Sequence, residues 1–514
     1  MESESTGRVH DLRWMTILVM AALSLAVHLV VNALGGYGYF RDELYYIACS
    51  KRPAAGYVDQ PPLSIFVMAG ARRLLGDSVF AIRLVPAVVS AVSVALLGLL
   101  ARRVGGGRSA IVLASLAFIA APQILSSHAY YSMNSLDIMF WLVVVYVLLG
   151  VSERGGLKRW LALGAALGLG LLNKTSVLWL CAGVCAAVLL VGKLRSQLKT
   201  PAPYAAAAIA LVTFSPFVIW NSLHGWPHIE FMRNAAGEKY ASLTRMRFLV
   251  DQFLVMNPFT YLVSVPGLVW CLAAKGGRRV IGVVFLTVLA VLLANPHTKA
   301  EYIAAAYPML FACGGVAFEM LRGPWRHVAV WGASTLLVAS GAALAPFAMP
   351  VLPVDAYISY ARSLGVAPST AEGNELADLP QFFADMHGWE ELAQAVSRAY
   401  LTIPEAERST TVALVTNYGE AGALEFYARR YPLPRVICNH NSCWFWGVGQ
   451  TPVTTFIRLG GNLEDYFQSY GDVVLAGVHT CAHCMPYENT LSVFVARARR
   501  VPIETAWAEY KHFE

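Results

Sequence analysis

The chain has 514 residues, of which 57% are hydrophobic and only 14% are charged. A soluble protein of this length could not bury so much apolar surface, so the composition excludes a soluble globular protein and predicts an integral membrane protein. The net charge of +7 is best explained by loop residues that set membrane orientation, because no nucleic-acid-binding motif accompanies it.

The first predicted element is an apolar helix over residues 14–34. This run is about 20 residues long, which is enough to cross a bilayer and too long for the core of a signal peptide. No A-x-A cleavage pattern follows it. We therefore expect it to be retained as the first membrane span.

Further apolar stretches bring the candidate spans to about eleven, each judged against the roughly 20 residues that a crossing helix needs. They lie at 79–101, 109–127, 135–151, 160–172, 176–192, 203–221, 249–273, 279–294, 302–321 and 327–349. The two short stretches on either side of Asn173 matter most. A single long helix there would reverse the orientation of everything that follows.

Lys and Arg are distributed unequally between alternate loops. Five loops, ARRVGGGR, SERGGLKR, GKLRSQLK, AKGGRR and LRGPWR, together hold 14 of these residues. The opposite short loops, SSHAYYSMN, NKT and NPHTKAE, hold 2. Because cytoplasmic loops carry the excess of positive charge, the pattern predicts two spans around Asn173 and an amino terminus inside. It places residues 40–63, 220–247, 295–301 and everything after Pro350 outside.

From about residue 350 the apolar runs shorten to strand length, in the segments TVALVT, RVICN, TTFIRL, DVVLAGV and LSVFVARA. The helical patterns GEAGALEFYARR and NLEDYFQSY lie between them. Alternation of strands and helices predicts a small α/β domain. We therefore expect a polytopic α-helical membrane domain over 1–349 and an extracytoplasmic α/β domain over 350–514.

Ionisable residues gather at the predicted outer ends of the spans, where they are costly and therefore informative. They are Asp42, Glu43, Asp59, His128, Asp137, Lys174, His224, His228, His297, Lys299 and Glu301. Acids and bases at a water–lipid boundary suit a substrate that is itself half lipid, such as a sugar linked to a polyprenyl phosphate. Lys174 and Lys299 are candidates to hold the phosphate by charge-assisted bonds. Asp42 or Glu43 is the candidate to take the proton of an incoming hydroxyl.

Simpler interpretations exist for most of these residues. An acid beside the end of a span is more often a solvated flank, and Lys174 has the length to snorkel to the interface. Tyr45 and Tyr46 fit an aromatic belt. Asp137 is harder to dismiss, because SMNSLDIMFW carries it into an apolar helix.

Several motifs in order resemble one family over about the first 320 residues. FRDELYY, GYVDQPPL, MNSLDIMF, NKT, PFVIWNSLHGWP and HTKAEYIAAAYP together resemble the glycosyltransferase C superfamily, in particular bacterial membrane glycosyltransferases related to protein O-mannosyltransferases and the lipid A aminoarabinose transferase. The resemblance implies that Asp42 is the catalytic base and that Glu43 completes its acidic pair. It also implies family positions for Asp59, Asp137, Lys299 and Tyr302, which we expect, together with Tyr46, to bind substrate.

The chain departs from the family pattern at Gln60, where relatives often carry Lys before Pro-Pro. Gln60 is kept as a substrate-binding candidate, and His297 or Lys174 is expected to supply the missing phosphate contact. Some relatives bind a divalent cation near the second acid. Asp59 with His224 or His228 is the corresponding candidate, although two ligands are too few to define a site. No cofactor is otherwise implied.

Nine cysteines are present. Four of them fall in the predicted α/β domain: Cys438, Cys443, Cys481 and Cys484. Their spacing fits either disulfides or a four-thiolate zinc site, and an outer location favours disulfides.

The sequence therefore predicts an inverting glycosyltransferase of the plasma membrane, with its active site and α/β domain on the periplasmic or outer side. It would transfer a hexose or pentose from a polyprenyl-phosphate donor to a hydroxyl of a lipid, glycan or protein acceptor. Two alternatives belong to other classes. A transporter would place ionisable groups near the bilayer midplane rather than at span ends, and a membrane-tethered receptor would not need acids in the first loop.

Overall fold

The computed structural model describes residues 2–239, 244–274, 276–370 and 372–514. The chain divides into two compact units. The first covers the described residues of 1–35, 75–219 and 242–352, and the second covers those of 36–74, 220–241 and 353–514.

The first unit is helical. Its α-helices are Glu2–Leu34, Val79–Arg103, Arg108–Ile119, Pro122–Ala129, Met133–Arg154, Leu157–Asn173, Val177–Leu190, Gly192–Arg195, Ala202–Leu223, Arg245–Met256, Tyr261–Ala273, Arg279–Ala294, Tyr307–Glu319 and Trp325–Ala348. A 3₁₀-helix, Ala300–Ala306, precedes Tyr307–Glu319.

Seven helices in the described part of the chain are long and apolar enough to cross a membrane. Three bent pairs raise that number to at most 10, which is below the expected eleven. The helix Leu157–Asn173 accounts for the difference, because its 17 residues rise only about 25 Å at 1.5 Å per residue. The structure separates Leu157–Asn173 from Val177–Leu190, as the loop charges predict. The expected polytopic helical architecture is confirmed.

The stretch 249–273 is not the single continuous span that its hydropathy predicts. The helices on either side of Asn257 meet at 95°. Asn257 has a φ of 68°, which ends the first helix, and its side chain accepts a hydrogen bond from the Phe259 N–H at 3.0 Å. Pro258 then begins the next turn, where its missing N–H costs nothing.

Buried apolar side chains such as Leu97, Phe118, Trp141 and Phe311 form the core of the first unit. Small residues let some of its helices approach closely. A side chain at Gly267 would meet the Leu310 carbonyl, and one at Gly314 would meet the Val263 carbonyl. This is the packing expected where lipid removes the hydrophobic drive between helices.

The second unit contains a five-stranded sheet. Its strands are β1 Thr411–Val415, β2 Arg435–Cys438, β3 Thr455–Leu459, β4 Tyr470–His479 and β5 Leu491–Arg499. They lie in the order β2-β1-β3-β5-β4. β1 pairs in parallel with β2 and β3, whereas β5 pairs antiparallel with β3 and β4. Each strand lies on one of the predicted apolar segments, so the α/β prediction is confirmed.

The second unit also contains several α-helices. They are Arg41–Ser50, Leu63–Leu75, Pro227–Asn234, Val354–Ser363, Gln381–Ala384, Trp389–Thr402, Glu405–Arg408, Tyr418–Tyr427, Ser442–Trp446, Leu463–Phe467 and Ile503–Ala506. The segment 36–74 belongs to the same compact unit as the α/β domain. The functional division of the sequence at 349/350 stays a prediction.

Candidate active site

The opening acidic pair lies at the start of the helix Arg41–Ser50. Glu43 is fully buried, and its Oε2 accepts a hydrogen bond from the Phe40 N–H at 2.9 Å. Its carboxylate thus satisfies one of the backbone donors that a helix start leaves open, and its negative charge suits that end of the helix dipole. Asp42 differs, because 32% of its side chain is exposed. Of the two, Asp42 is the acid that a substrate can reach.

Asp42 has a defined partner from the α/β domain. The Tyr418 hydroxyl donates a hydrogen bond to Asp42 Oδ1 at 3.1 Å. Tyr418 is the first residue of the helix Tyr418–Tyr427, which follows β1. Burial raises the pKa of the Tyr418 phenol well above its usual value, against the opposing charge of Arg41. The phenol therefore remains a donor and favours the ionised form of Asp42.

Two glycines allow this contact. A side chain at Gly422 would lie 2.8 Å from the Leu44 carbonyl carbon, and a side chain at Gly419 would meet the aliphatic part of Arg41. The motif GEAGALEFY can therefore bring its helix against Arg41–Ser50. The N-terminus of the same helix is capped within the chain, since the Asn417 side chain accepts a hydrogen bond from the Gly419 N–H at 2.6 Å.

Arg41 organises a buried network behind Asp42. Its NH1 group donates to the Tyr487 hydroxyl at 3.1 Å, and its NH2 group lies 3.7 Å from both Glu372 Oε2 and Asp385 Oδ2. Its Nε is 3.9 Å from Asp42 Oδ1. Burial raises the pKa of Asp385 to about 6, although Arg41 acts in the opposite direction. The network fixes the cation beside the candidate base.

Asp59 is held by buried aromatic and backbone groups. The Tyr45 hydroxyl donates to Asp59 Oδ1 at 2.8 Å, and that hydroxyl accepts from the Ser442 N–H at 3.3 Å. The Ser442 hydroxyl in turn accepts from the Val58 N–H at 3.0 Å. Tyr45 is therefore a buried hydrogen-bond donor to Asp59 rather than a member of an aromatic belt.

Gln60 and Tyr46 are both buried in this unit. The Gln60 carbonyl accepts from the Tyr57 N–H at 3.1 Å. Its side-chain amide has no hydrogen-bond partner among the described residues. Because a buried polar group without a partner is costly, the amide of Gln60 is available to a bound group.

The metal interpretations gain no support from the described residues. No group of three or more His, Cys, Asp and Glu side chains in the described ranges could hold a metal ion. His228 Nδ1 lies 2.8 Å from the Val58 carbonyl, and His224 stacks on Trp220 with ring centroids 4.4 Å apart. The four cysteines of the α/β domain are free thiols.

In the first unit, Asp137 and Lys174 form a buried polar cluster at the start of the helix Met133–Arg154. Asp137 accepts hydrogen bonds from Trp141 Nε1 and from the Ser176 hydroxyl, each at 3.1 Å. Lys174 Nζ lies 3.8 Å from Asp137 Oδ2 and donates to Asn134 Oδ1 at 2.8 Å. Asp137 is thus satisfied within the chain, and it positions the ammonium group of Lys174, which remains 21% exposed.

The loop that contains His297 and Lys299 borders a cavity of about 380 Å³ in the same unit. Its wall includes Arg245, Phe248, Leu292, Pro296 and Thr298. The Thr298 hydroxyl is buried without a partner among the described residues.

Lys299 immediately precedes the 3₁₀-helix Ala300–Ala306, and the His297 N–H donates to Asn295 Oδ1 at 3.1 Å. The Tyr302 ring packs on Trp179 with centroids 5.5 Å apart. These three predicted residues are therefore carried by one short loop and the turn that follows it.

Sequence reasoning missed Arg41, Tyr418 and Arg245. Arg41 is adjacent to Asp42, but its burial depends on residues more than 300 positions away. Tyr418 carried a signal, since it sits where a strand turns into a helix. Arg245 lies beside a helix start, and only its place on the cavity wall singles it out.

The fold and these sites define a polytopic membrane protein with an α/β domain and an acidic, partly exposed site. Residues 59–220 match the family described as dolichyl-phosphate-mannose-protein mannosyltransferase. The lipid A galacturonosyltransferase RgtD of Rhizobium johnstonii is 25% identical over 260 residues, which are 50% of this chain and 54% of that protein. The undecaprenyl phosphate-alpha-4-amino-4-deoxy-L-arabinose arabinosyl transferase of Pseudomonas aeruginosa is 26% identical over 184 residues, 32% of this chain and 33% of that protein. The chain thus matches about half or less of the length of these relatives.

The fold is also similar to solved structures. ArnT from Cupriavidus metallidurans, bound to undecaprenyl phosphate, matches with a TM-score of 0.60 and 14% identity over 93% of this chain and 97% of that one. The oligosaccharyltransferase AglB from Archaeoglobus fulgidus matches with a TM-score of 0.51 and 13% identity over 87% and 69% of the two chains. The predicted resemblance to the glycosyltransferase C superfamily is confirmed.

Proposed function

We propose that this protein is an inverting glycosyltransferase that moves a sugar from a polyprenyl-phosphate donor to a hydroxyl group at the outer membrane face. The observation that carries the proposal is Asp42, a partly exposed carboxylate with a buried phenol donor on Oδ1. The similar proteins support the substrate class, since their names include a lipid A sugar transferase and a transferase of an undecaprenyl-phosphate sugar.

In this reaction Asp42 accepts the proton of the acceptor hydroxyl while that oxygen attacks the anomeric carbon. The bond between the anomeric carbon and the phosphate oxygen breaks, and the configuration at this carbon inverts. Lys299, assisted by Lys174 or His297, stabilises the charge on the departing polyprenyl phosphate. Glu43 caps its helix, while Asp59, Gln60, Tyr46 and Tyr302 are proposed to be substrate-binding residues.

Asp137 has a different proposed role from direct substrate contact. Its two oxygens already accept bonds from Trp141 and Ser176. We infer that it positions Lys174. The Asp137→Asn change should therefore weaken donor binding through Lys174 more than it slows the proton transfer assigned to Asp42.

The protein is proposed to work in the plasma membrane with both Asp42 and the α/β domain on the outer side. The acceptor class stays open between lipid, glycan and protein. The deciding experiment uses purified full-length protein in lipid nanodiscs with a short-chain polyprenyl-phosphate sugar. Release of polyprenyl phosphate only when a hydroxyl acceptor is added would support transfer. Movement of the intact donor across sealed vesicles without its cleavage would instead support the transporter alternative.

A further inference from the structure

Cys481 and Cys484 form a close thiol pair in the loop that joins β4 to β5. The Cys484 N–H donates to Cys481 Sγ at 3.2 Å, and Cys484 Sγ lies 3.6 Å from the Cys481 carbonyl. Cys481 is half-buried, whereas Cys484 is buried. Cys481 is thus the more accessible of the two thiols, and Cys484 is the less accessible one.

The loop is organised around this pair. The Asn489 side chain accepts hydrogen bonds from the N–H groups of Cys481 and Thr490, each at 2.9 Å. On the other side lies Gly388, with a φ of +88°. A side chain at Gly388 would fall 2.9 Å from Cys481 Sγ and 3.2 Å from Cys484 Cβ. Only glycine therefore lets both thiols pack at this position.

Gly388 is also the N-cap residue of the 14-residue helix Trp389–Thr402. The positive end of a helix dipole favours a thiolate over a thiol. The hydrogen bond from the Cys484 thiol acts in the same direction and lowers the pKa of Cys481 to about 7, although burial and the carboxylate of Glu391 oppose it. The Cys484 thiol has its pKa raised by the same bond, so the two sulfurs are chemically distinct.

A second cysteine pair in the same domain provides the contrast. Cys438 and Cys443 are both buried. Burial, together with the adjacent Cys438 thiol, raises the pKa of Cys443 well above its usual value. Such a pair is expected to be inert, because the thiolate is the reactive form.

We propose that Cys481 and Cys484 are a redox-active dithiol that is oxidised to a disulfide by thiol–disulfide exchange with a disulfide oxidant. The Cys481 thiolate attacks one sulfur of the oxidant, forms a mixed disulfide and releases the other sulfur as a thiolate. The Cys484 thiol then loses its proton and attacks Cys481 Sγ, which releases the second sulfur of the oxidant. Two protons and two electrons leave the protein, and the disulfide of the oxidant is reduced to two thiol groups.

The pair shares its loop with Tyr487, which belongs to the network behind Asp42, and with Glu488. Tyr487 accepts a hydrogen bond from Arg41, and Glu488 Oε1 accepts one from Asn417 Nδ2 at 3.0 Å. Closing the disulfide restrains the loop that carries both contacts. Oxidation should therefore change the rate of sugar transfer, and this part of the inference rests on the proposed function.

The first test maps the thiols in reduced full-length protein that is then treated with oxidised glutathione. Remaining thiols are alkylated, the protein is digested, and the mass of the peptide that contains both cysteines is measured by mass spectrometry. We expect it to be unalkylated and lighter by two hydrogens, while Cys438 and Cys443 stay reduced. Full alkylation of both cysteines after this treatment, or a bond from either to Cys438 or Cys443, would overturn the proposal.

Two variants test the order of attack. Cys484→Ser should hold glutathione on Cys481, because the resolving thiol is gone, and Cys481→Ser should hold almost none on the buried Cys484. Equal labelling of the two variants contradicts the assigned roles. Cys438→Ser is the matched control and should oxidise like the wild type. Because these readouts need no sugar transfer, they stand even if the proposed function fails.

The second test compares transfer by oxidised and reduced wild-type protein. A difference that disappears in Cys481→Ser supports control of the reaction by this loop. Equal rates together with a mapped disulfide would reduce the pair to a structural cross-link.

Discussion

The Tyr418 hydroxyl lies 3.1 Å from Asp42 Oδ1 and donates a hydrogen bond to it. The bond joins the first turns of the helices Arg41–Ser50 and Tyr418–Tyr427, and the two bonded residues are 376 positions apart in the sequence. A domain that sequence alone presents as an appendage thus contributes a group to the candidate base.

Changing Asp42 to Asn should lower sugar transfer by about 10²–10⁴-fold, the usual contribution of a general base. Expression and melting temperature should stay near wild type, because Asp42 is partly exposed. The measurement is single-turnover transfer in nanodiscs. Asp355→Asn is the matched control, since Asp355 is an exposed acid in the first turn of the helix Val354–Ser363. Near-wild-type turnover by the Asp42 variant would remove the base assignment.

Glu43→Gln should act differently from Asp42→Asn. The change removes a buried carboxylate that accepts a hydrogen bond from the Phe40 N–H. We therefore expect a lower melting temperature, and a smaller loss of transfer per folded molecule than in Asp42→Asn. A loss of transfer confined to the Glu43 variant would move the role of the base to Glu43.

Changing Tyr418 to Phe should lower transfer by about tenfold, because a hydrogen bond to a charged group contributes about 1.5–3 kcal/mol. Loss of the donor also raises the pKa of Asp42. The acid limb of the pH–rate profile should therefore move to higher pH. Tyr400→Phe is the control, since its hydroxyl donates to the Arg408 carbonyl at 3.3 Å. An unmoved acid limb would mean that the phenol has no electrostatic effect on the base.

The pH dependence of stability should contain a contribution from Asp385. Its pKa rises from 3.8 to about 6 on folding, chiefly because it is buried. Between these values the folded state holds the proton more tightly than the unfolded state, so stability falls as pH rises from about 4 to 6 and then levels off. The melting temperature, measured at a series of pH values over this range, should change less with pH for Asp385→Asn than for the wild type. The same change of melting temperature with pH in both proteins would show that folding does not shift the pKa of Asp385.

The orientation can be tested by reporter fusions. The 14-to-2 distribution of Lys and Arg between alternate loops predicts that fusions after Leu321 and after Pro350 report opposite sides. A cytoplasmic signal after Pro350 would reverse the proposed location of the α/β domain and of Asp42 with it.

Hydropathy and periodicity were enough to predict the helical membrane architecture and all five strands, because both signals are local. The residue-level contacts were not predictable in the same way. Glu43 and Asp42 look equivalent in FRDELYY, and only burial and the Phe40 N–H separate them. The bend at Asn257 depends on one residue with positive φ, which an apolar run such as 249–273 does not reveal.

Lys299 is proposed to hold the donor phosphate, and its substitution should affect both binding and chemistry. The phosphate gains charge as it leaves, so a cation beside it contributes more in the transition state than in the ground state. Lys299→Ala should therefore lower kcat as well as donor affinity. Lys299→Arg should restore part of both, since it keeps the charge but changes the geometry.

Variants of His297 and Lys193 provide the comparisons for this prediction. His297 lies two residues away and should partly compensate, so the double change to Ala should be worse than either single change. Lys193→Ala, which removes an exposed lysine from the predicted inner side, should have no effect. Donor binding and turnover are measured with a water-soluble short-chain donor. If both are unchanged in Lys299→Ala, the phosphate is bound elsewhere, and Lys174, which Asp137 positions at 3.8 Å, becomes the residue to change next.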